Sequence, residues 1–324
     1  MTSDTSVPIA RVHDLPDLLG VIPHLLGFHP EESMVLVVID DGCVQLTARA
    51  DLGDVGSPGH LELLIDRMLV RWPSGGMWLV AYTVAEAEGW RLLERARDHL
   101  GQTLVGDPIC VVGPYYRAGD SAGPVFPHDP KASITAVAAT VHGLQARPSR
   151  AMLAELVRPD PREARVVEDV WVRALERVLA IDPARRPDEL MRALRRALAD
   201  PAAVRPDDLA WLGLLINDPF ARDRAVLSLQ RPKAGAWVEL WTRVVRACPN
   251  GTQDQALAVL ALAAWVNGDG GLHAVCLEEM DALGIAPGLK RLLESLNEAV
   301  APPSDWDELR LRFSELLDAD EDVA

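Results

Sequence analysis

The chain has 324 residues, 49% of them apolar and 25% charged, enough material for a large core and, by length, for two domains. Its 48 acidic and 32 basic residues leave a net charge of -16. A surface so acidic repels phosphate backbones and anionic membranes, which argues against nucleic acid or lipid head groups as partners.

The opening MTSDTSVPIARVHDL carries no basic region followed by an apolar core, and no stretch approaches the ~20 apolar residues of a membrane span. A cytoplasmic protein is expected. Residues 14–27, DLPDLLGVIPHLLG, hold signals for one or two short helices: Asp14 as cap, Pro16 and Pro23 suited to first turns, Gly27 as terminator. Phe28 and Pro30 then fit a hydrophobic contact and a stop after the helix. MVLVVID (34–40) is apolar up to Ile39 and predicts a strand buried on both faces; CVQLTARAD (43–51) alternates, as a half-covered strand does. Asp41-Gly42 between them is the dipeptide of a two-residue hairpin turn. A helix at 58–71, a strand at 77–83, a helix at 84–100 and a strand near 105–113 follow. That order implies a mixed sheet with helices, an α/β or α+β domain over 1–130. The Gly- and Pro-rich passage 113–130 reads as a long loop.

From Lys131 onward helical patterns dominate, at 131–145, 149–157, 162–181, 187–200, 206–216, 235–247, 253–267, 270–283, 287–299 and 305–318. Residues 131–324 are therefore expected to form an all-α domain, weakly tetratricopeptide-like over 235–299, with an ordinary helical hairpin as the alternative. Asp218 before Pro219 looks like a helix cap, and tryptophans such as Trp171, Trp211, Trp237, Trp241 and Trp265 look like core. The acidic end DADEDVA reads as a solubilising tail.

The turn alone would fix the hairpin register: Asp40 opposite Cys43, Met34 opposite Arg49, Ser33 opposite Ala50 and Glu32 opposite Asp51. Ser33 would then face the core with Leu46 and Ala48, while Glu32, Arg49 and Asp51 would gather on the other face with His29 nearby. Two carboxylates beside a guanidinium can bind a cationic or hydroxylated ligand, or can simply form an ion pair. The candidate ligand site is His29, Glu32, Arg49 and Asp51 with Tyr116 and Arg117 from the 113–130 passage, Tyr115 preceding them. A catalytic Ser33–His29 pair is disfavoured, because a proline separates them and no Gly-x-Ser-x-Gly elbow is present. No catalytic residue is assigned. Cys43, Cys110, Cys248 and Cys276 lie far apart without zinc-ligand spacing, and there is no phosphate-binding glycine loop, so neither metal nor cofactor is expected.

PHLLGFHPEESMVLVVI (23–39) followed by LTARADL (46–52) resembles the start of an actinobacterial family, the domain of unknown function 4192. PSRAMLAELV (148–157), NDPFARDRA (217–225) and AWVNGDGGLHAV (264–275) look like its later landmarks, and three lysines against 29 arginines suit a GC-rich genome. The resemblance implies no reaction. Many members carry a cysteine pair in the passage at 113–130, which this chain lacks. The function expected is a non-enzymatic adaptor that binds a protein or peptide. The alternative is a small-molecule enzyme, such as a hydrolase, at the open end of the hairpin. The oligomeric state stays open.

Overall fold

The computed structural model describes residues 14–131, 133–141, 144–284 and 288–321, with the side chains of 161–168 and 316–321 outside the description. The expectations for residues 1–13, for the 285–287 link of the repeat-like region and for the last residues of the acidic tail lie outside the described residues. The chain divides into two compact units, 1–150 and 151–324.

In the first unit, α1 (Leu15–Leu26) starts where Asp14 accepts from the Asp17 amide at 2.9 Å and stops at Gly27, whose φ of 80° is left-handed. It is one helix, running through Pro23 in its last turn. β1 (Ser33–Asp40) and β2 (Cys43–Asp51) form the expected hairpin, with φ of 50° at Asp41 and 73° at Gly42. α2 (Leu52–Gly56) and α3 (His60–Arg71) lead to β3 (Gly76–Tyr82), then α4 (Glu86–Leu100) to β4 (Ile109–Val112). The passage expected as a loop instead adds two strands, β5 (Tyr115–Ala118) and β6 (Phe126–Pro127). They are too short for period-2 alternation to show, and Gly113, Pro114 and Gly119 obscure their ends.

The six strands lie in the order β2-β1-β3-β4-β5-β6. β1 is antiparallel to both β2 and β3, and β3 is parallel to β4, so β2, β3 and β4 all run the same way. β1 sits between two strands, and Met34 to Val38 are at most 2% exposed. That burial contributes roughly 10 kcal/mol before chain entropy is counted. α4 covers the face that carries Ala81 and Cys110, where Gly89 lets it approach: a Cβ there would stand 2.8 Å from Thr83 Cγ2 and 3.0 Å from Cys110 Sγ.

α5 (Ile134–Val141) packs against α1. The helical region expected to start a new domain at 131 therefore begins inside the first unit, and the division falls at Arg150. The second unit is helical throughout the described residues: α6 (Arg150–Ala154), α7 (Pro161–Leu179), α8 (Arg186–Ala197), α9 (Pro206–Leu215), α10 (Pro219–Leu227), α11 (Ala234–Ala247), α12 (Asp254–Asn267), α13 (Gly270–Ala282), α14 (Gly288–Glu298) and α15 (Trp306–Glu321). α12 packs between α11 and α13, and its Ala-rich run from Ala256 to Val266 is buried on every side. Trp171, Trp211, Trp237, Trp241 and Trp265 are all core residues. Asp218 caps α10 by accepting from the Ala221 amide at 3.1 Å.

Candidate functional site

The hairpin leaves its turn in the expected register, Asp40 opposite Cys43 and Ile39 opposite Val44, but the pairing then slips. Val38 faces Leu46, so Gln45 is an extra residue, a β-bulge on β2. From there on every residue of β1 meets a β2 partner one position further along: Val35 faces Arg49 and Ser33 faces Asp51. Directly opposed residues share a face. Ser33, Arg49 and Asp51 therefore stand together, and the expected separation of Ser33 from Arg49 is corrected.

The side chains agree with the slipped register. Arg49 Nε donates to Ser33 Oγ at 2.7 Å, while Nη1 and Nη2 form a two-pronged pair with Asp51 at 2.9 and 2.6 Å. Nη2 also reaches the Glu31 carbonyl at 3.4 Å, and the guanidinium lies 5.9 Å from the centre of the Phe28 ring. Ser33 Oγ donates to the Glu31 carbonyl at 2.5 Å. Its hydroxyl thus gives its proton to a main-chain oxygen and receives one from an arginine, an arrangement that holds no base for a nucleophile.

Glu32 is not part of this group. With a left-handed φ of 41° it turns its carboxylate to the β3–α4 connection, where Oε2 accepts from Thr83 Oγ1 at 3.0 Å and Oε1 from the Val84 amide at 2.7 Å. Thr83 Oγ1 in turn accepts from the Ala85 amide at 2.9 Å. The expected quartet thus splits, with Arg49 and Asp51 on one side and Glu32 serving as a loop clamp.

Arg117 ties β5 to the start of α4, with Nε 2.8 Å from Glu86 Oε1 and a further bond to the Gly123 carbonyl. Tyr116 is buried and stacks on Phe126 at 5.3 Å, on the face opposite that of Arg117 in the pleat. Burial, with the Asp14 charge adding to it, raises the Tyr116 phenol above its usual range. His29 donates its main-chain amide to the Arg147 carbonyl at 3.0 Å, but its ring has no hydrogen bond among the described residues. Burial chiefly, helped by His24 and Lys131, holds its pKa below the ordinary histidine value.

The strand pairing still gathers these residues at one end of the sheet. Asp51, Ser33, Tyr82, Val111, Tyr116 and Phe126 form one row across all six strands. The carboxyl ends of β2, β3 and β4 finish there, the end of an α/β sheet where ligands usually bind. Tyr82 is 6% exposed, and its hydroxyl has no partner among the described residues. Sequence reading missed Phe28, Glu31, Tyr82, Thr83 and Val84. For Tyr82 a signal existed, since it ends an apolar strand; for the others the contacts depend on the bulge and on Glu32's left-handed backbone.

Among the described residues no cluster of three or more His, Cys, Asp or Glu is arranged to hold a metal ion, and no helix is long and apolar enough to cross a membrane. In a comparison with known families, residues 16–304 match one described as a domain of unknown function (DUF4192). No curated protein and no solved structure matches.

Proposed function

Since the chain belongs to the domain of unknown function 4192 family, whose description assigns no activity, we propose from its surface that it is a non-enzymatic binding protein, an adaptor. The observation that carries this reading is α7. Trp171, Ala174 and Val178 are buried against its own unit, while Val172, Leu175 and Leu179, at the same helical spacing, are 56%, 42% and 69% exposed. A helix that is apolar on a second, solvent-facing stripe carries more hydrophobic surface than its fold uses. α5 has a comparable stripe, Ile134, Val137 and Val141, in the first unit. Such stripes suit a partner protein or an amphipathic peptide. The polar candidates support the same reading, because Arg49, Asp51, Glu32 and Arg117 are engaged with one another or with the main chain.

The buried, unpaired thiols of Cys110, Cys248 and Cys276 fit a reducing cytoplasm, and the arginine-rich, lysine-poor composition fits an actinobacterial source. The test is partner capture by crosslinking with wild type and with the Val172→Asp/Leu175→Asp variant. Substitution at these exposed sites should leave stability within about 0.5 kcal/mol and reduce capture at least tenfold. Capture undiminished from wild type both in that variant and in Ile134→Asp/Val137→Asp would remove the basis for the reading.

One observation favours the second reading, a small-molecule enzyme: the orphan Tyr82 hydroxyl at the carboxyl ends of β2, β3 and β4. A metabolite thermal-shift screen tests it, since a ligand of the native state raises apparent stability. Loss of the shift in Tyr82→Phe would support it, and no shift with any metabolite class would set it aside.

A further inference from the structure

Among the described helices of eight or more residues, α5 alone carries no charged side chain; it reads ITAVAATV. Its two hydroxyls are engaged within the unit, Thr135 Oγ1 donating to the Asp17 carbonyl at 2.6 Å and Thr140 Oγ1 to the Ala136 carbonyl at 2.9 Å. A helix that is apolar on every side normally lies inside a core. Yet α1 covers only the side that bears Thr135, Ala136 and Ala139. The opposite side holds Ile134, Val137 and Val141, which are 82%, 59% and 79% exposed, with Ala138 beside them. Turning the helix cannot hide this side, because the Thr135 bond fixes its rotation and α1 lies so close that a Cβ on Gly20 would overlap Ser133 at the start of α5. We propose that the exposed face of α5 is covered by the α5 of a second copy of the chain, in a two-fold dimer.

Charge selects that occupant. Each copy carries a net charge of -16, so two copies repel one another over most of their surface. Contact between them has to form where neither brings a charge, and α5 is such a face. A basic partner finds no carboxylate on α5 to pair with, and an amphipathic helix with charged flanks gains nothing there that it would not gain elsewhere on so acidic a surface. An isologous contact needs only a patch that matches itself. A two-fold axis at the middle of α5 sets the two helices antiparallel, with their dipoles opposed. Ile134 of one copy then meets Val141 of the other, and Val137 packs beside the small Ala138 at the axis. The three large side chains offer about 300 Å² per copy, against about 800 Å² per partner in a standard interface, so the dimer is weak and reversible.

Sedimentation velocity of the full chain from ~5 to ~500 µM tests this, with dissociation expected on the order of 100 µM. Association should tighten several-fold as salt rises from ~50 to ~500 mM, because screening relieves the repulsion between like-charged copies. Ile134→Asp/Val137→Asp and the uncharged Ile134→Ser/Val137→Ser should both weaken association by about tenfold or more with Tm unchanged. Val70→Asp, at a comparably exposed valine on the charged α3, should leave it as in wild type. With Cys43 replaced by serine, Val137→Cys should crosslink to its own copy under mild oxidation. A monomer at every concentration, a dimer that either α5 variant leaves intact, or a dimer that salt weakens would each overturn the proposal. None of these results involves α7, so the adaptor reading stands or falls separately, by its own capture experiment.

Discussion

Replacing Arg49 by alanine separates a structural guanidinium from a ligand-binding one. Arg49 is only 14% exposed and Asp51 is 54% exposed. The bond from Nε to buried Ser33 is charge-assisted and contributes about 1.5 to 3 kcal/mol. The pair with the half-exposed Asp51 contributes about 0.2 to 1 kcal/mol after solvent screening, and the Phe28 ring at 5.9 Å about 0.5 to 1 kcal/mol. These contributions overlap, so Arg49→Ala should destabilise the first unit by about 2 to 4 kcal/mol. Urea denaturation read through exchange of β1 amides measures it. Two double-mutant cycles then apportion the loss: Arg49 with Ser33 should couple by about 1 to 2 kcal/mol, and Arg49 with Asp51 by less than about 1 kcal/mol. A total loss below about 0.5 kcal/mol, or a stronger coupling to Asp51 than to Ser33, would refute this assignment and return Arg49 to the ligand-binding candidates.

Glu32→Gln keeps the side-chain shape but weakens the clamp on Thr83 and Val84; a loss of about 1 to 2 kcal/mol is expected, read as faster exchange of the Val84 and Ala85 amides. Glu32→Gly also loses the clamp yet relieves the left-handed backbone by about 1 kcal/mol, so it should be less damaging than Glu32→Ala in the same assay. In the helical unit a Cβ on Gly213 would stand 2.6 Å from the Trp171 ring, and Gly213→Ala should cost about 1 to 3 kcal/mol in denaturant titration. His273 is buried with Nδ1 2.9 Å from the Ala261 carbonyl, and burial keeps its pKa below 6.5. The unfolded chain takes that proton first, so stability of this unit should be full above pH 6.5 and fall below it, and His273→Leu should flatten the fall. A thiol reagent on native protein should label exposed Cys43 first, whereas burial pushes Cys110 and Cys248 up to about 12; mass spectrometry of labelled peptides checks the order.

Local rules carried much of the architecture. Asp14 and Gly27 bound α1, Asp41-Gly42 turn the hairpin, Asp218 caps α10, and the tryptophans fill the core. Each of these depends on neighbours a few residues away. What was illegible depends on distant partners. β5 and β6 exist as strands because β4 offers an edge, not because their sequence alternates. α5 belongs to the first unit because α1 covers it, a fact no boundary signal near 131 reports. The candidate site failed for a smaller reason. Turn chemistry fixed the register only as far as Ile39, and one unpaired residue beyond it exchanged the neighbours of Ser33 and Arg49. Composition gives no sign of that residue, since Gln45 fits the alternation of CVQLTARAD without a break.

Gln45 also lies on β2, which has no neighbour on its far side among the described residues. A flat edge of nine residues invites pairing with the same edge of another molecule, and a bulge bends it out of that geometry. The irregularity that decides which side Arg49 faces is thus also the guard against end-on growth of the sheet into aggregates. Deleting Gln45 would straighten the edge while leaving Val38 opposite Leu46 and Val35 opposite Arg49, so that solubility should fall with the Ser33–Arg49 contact retained.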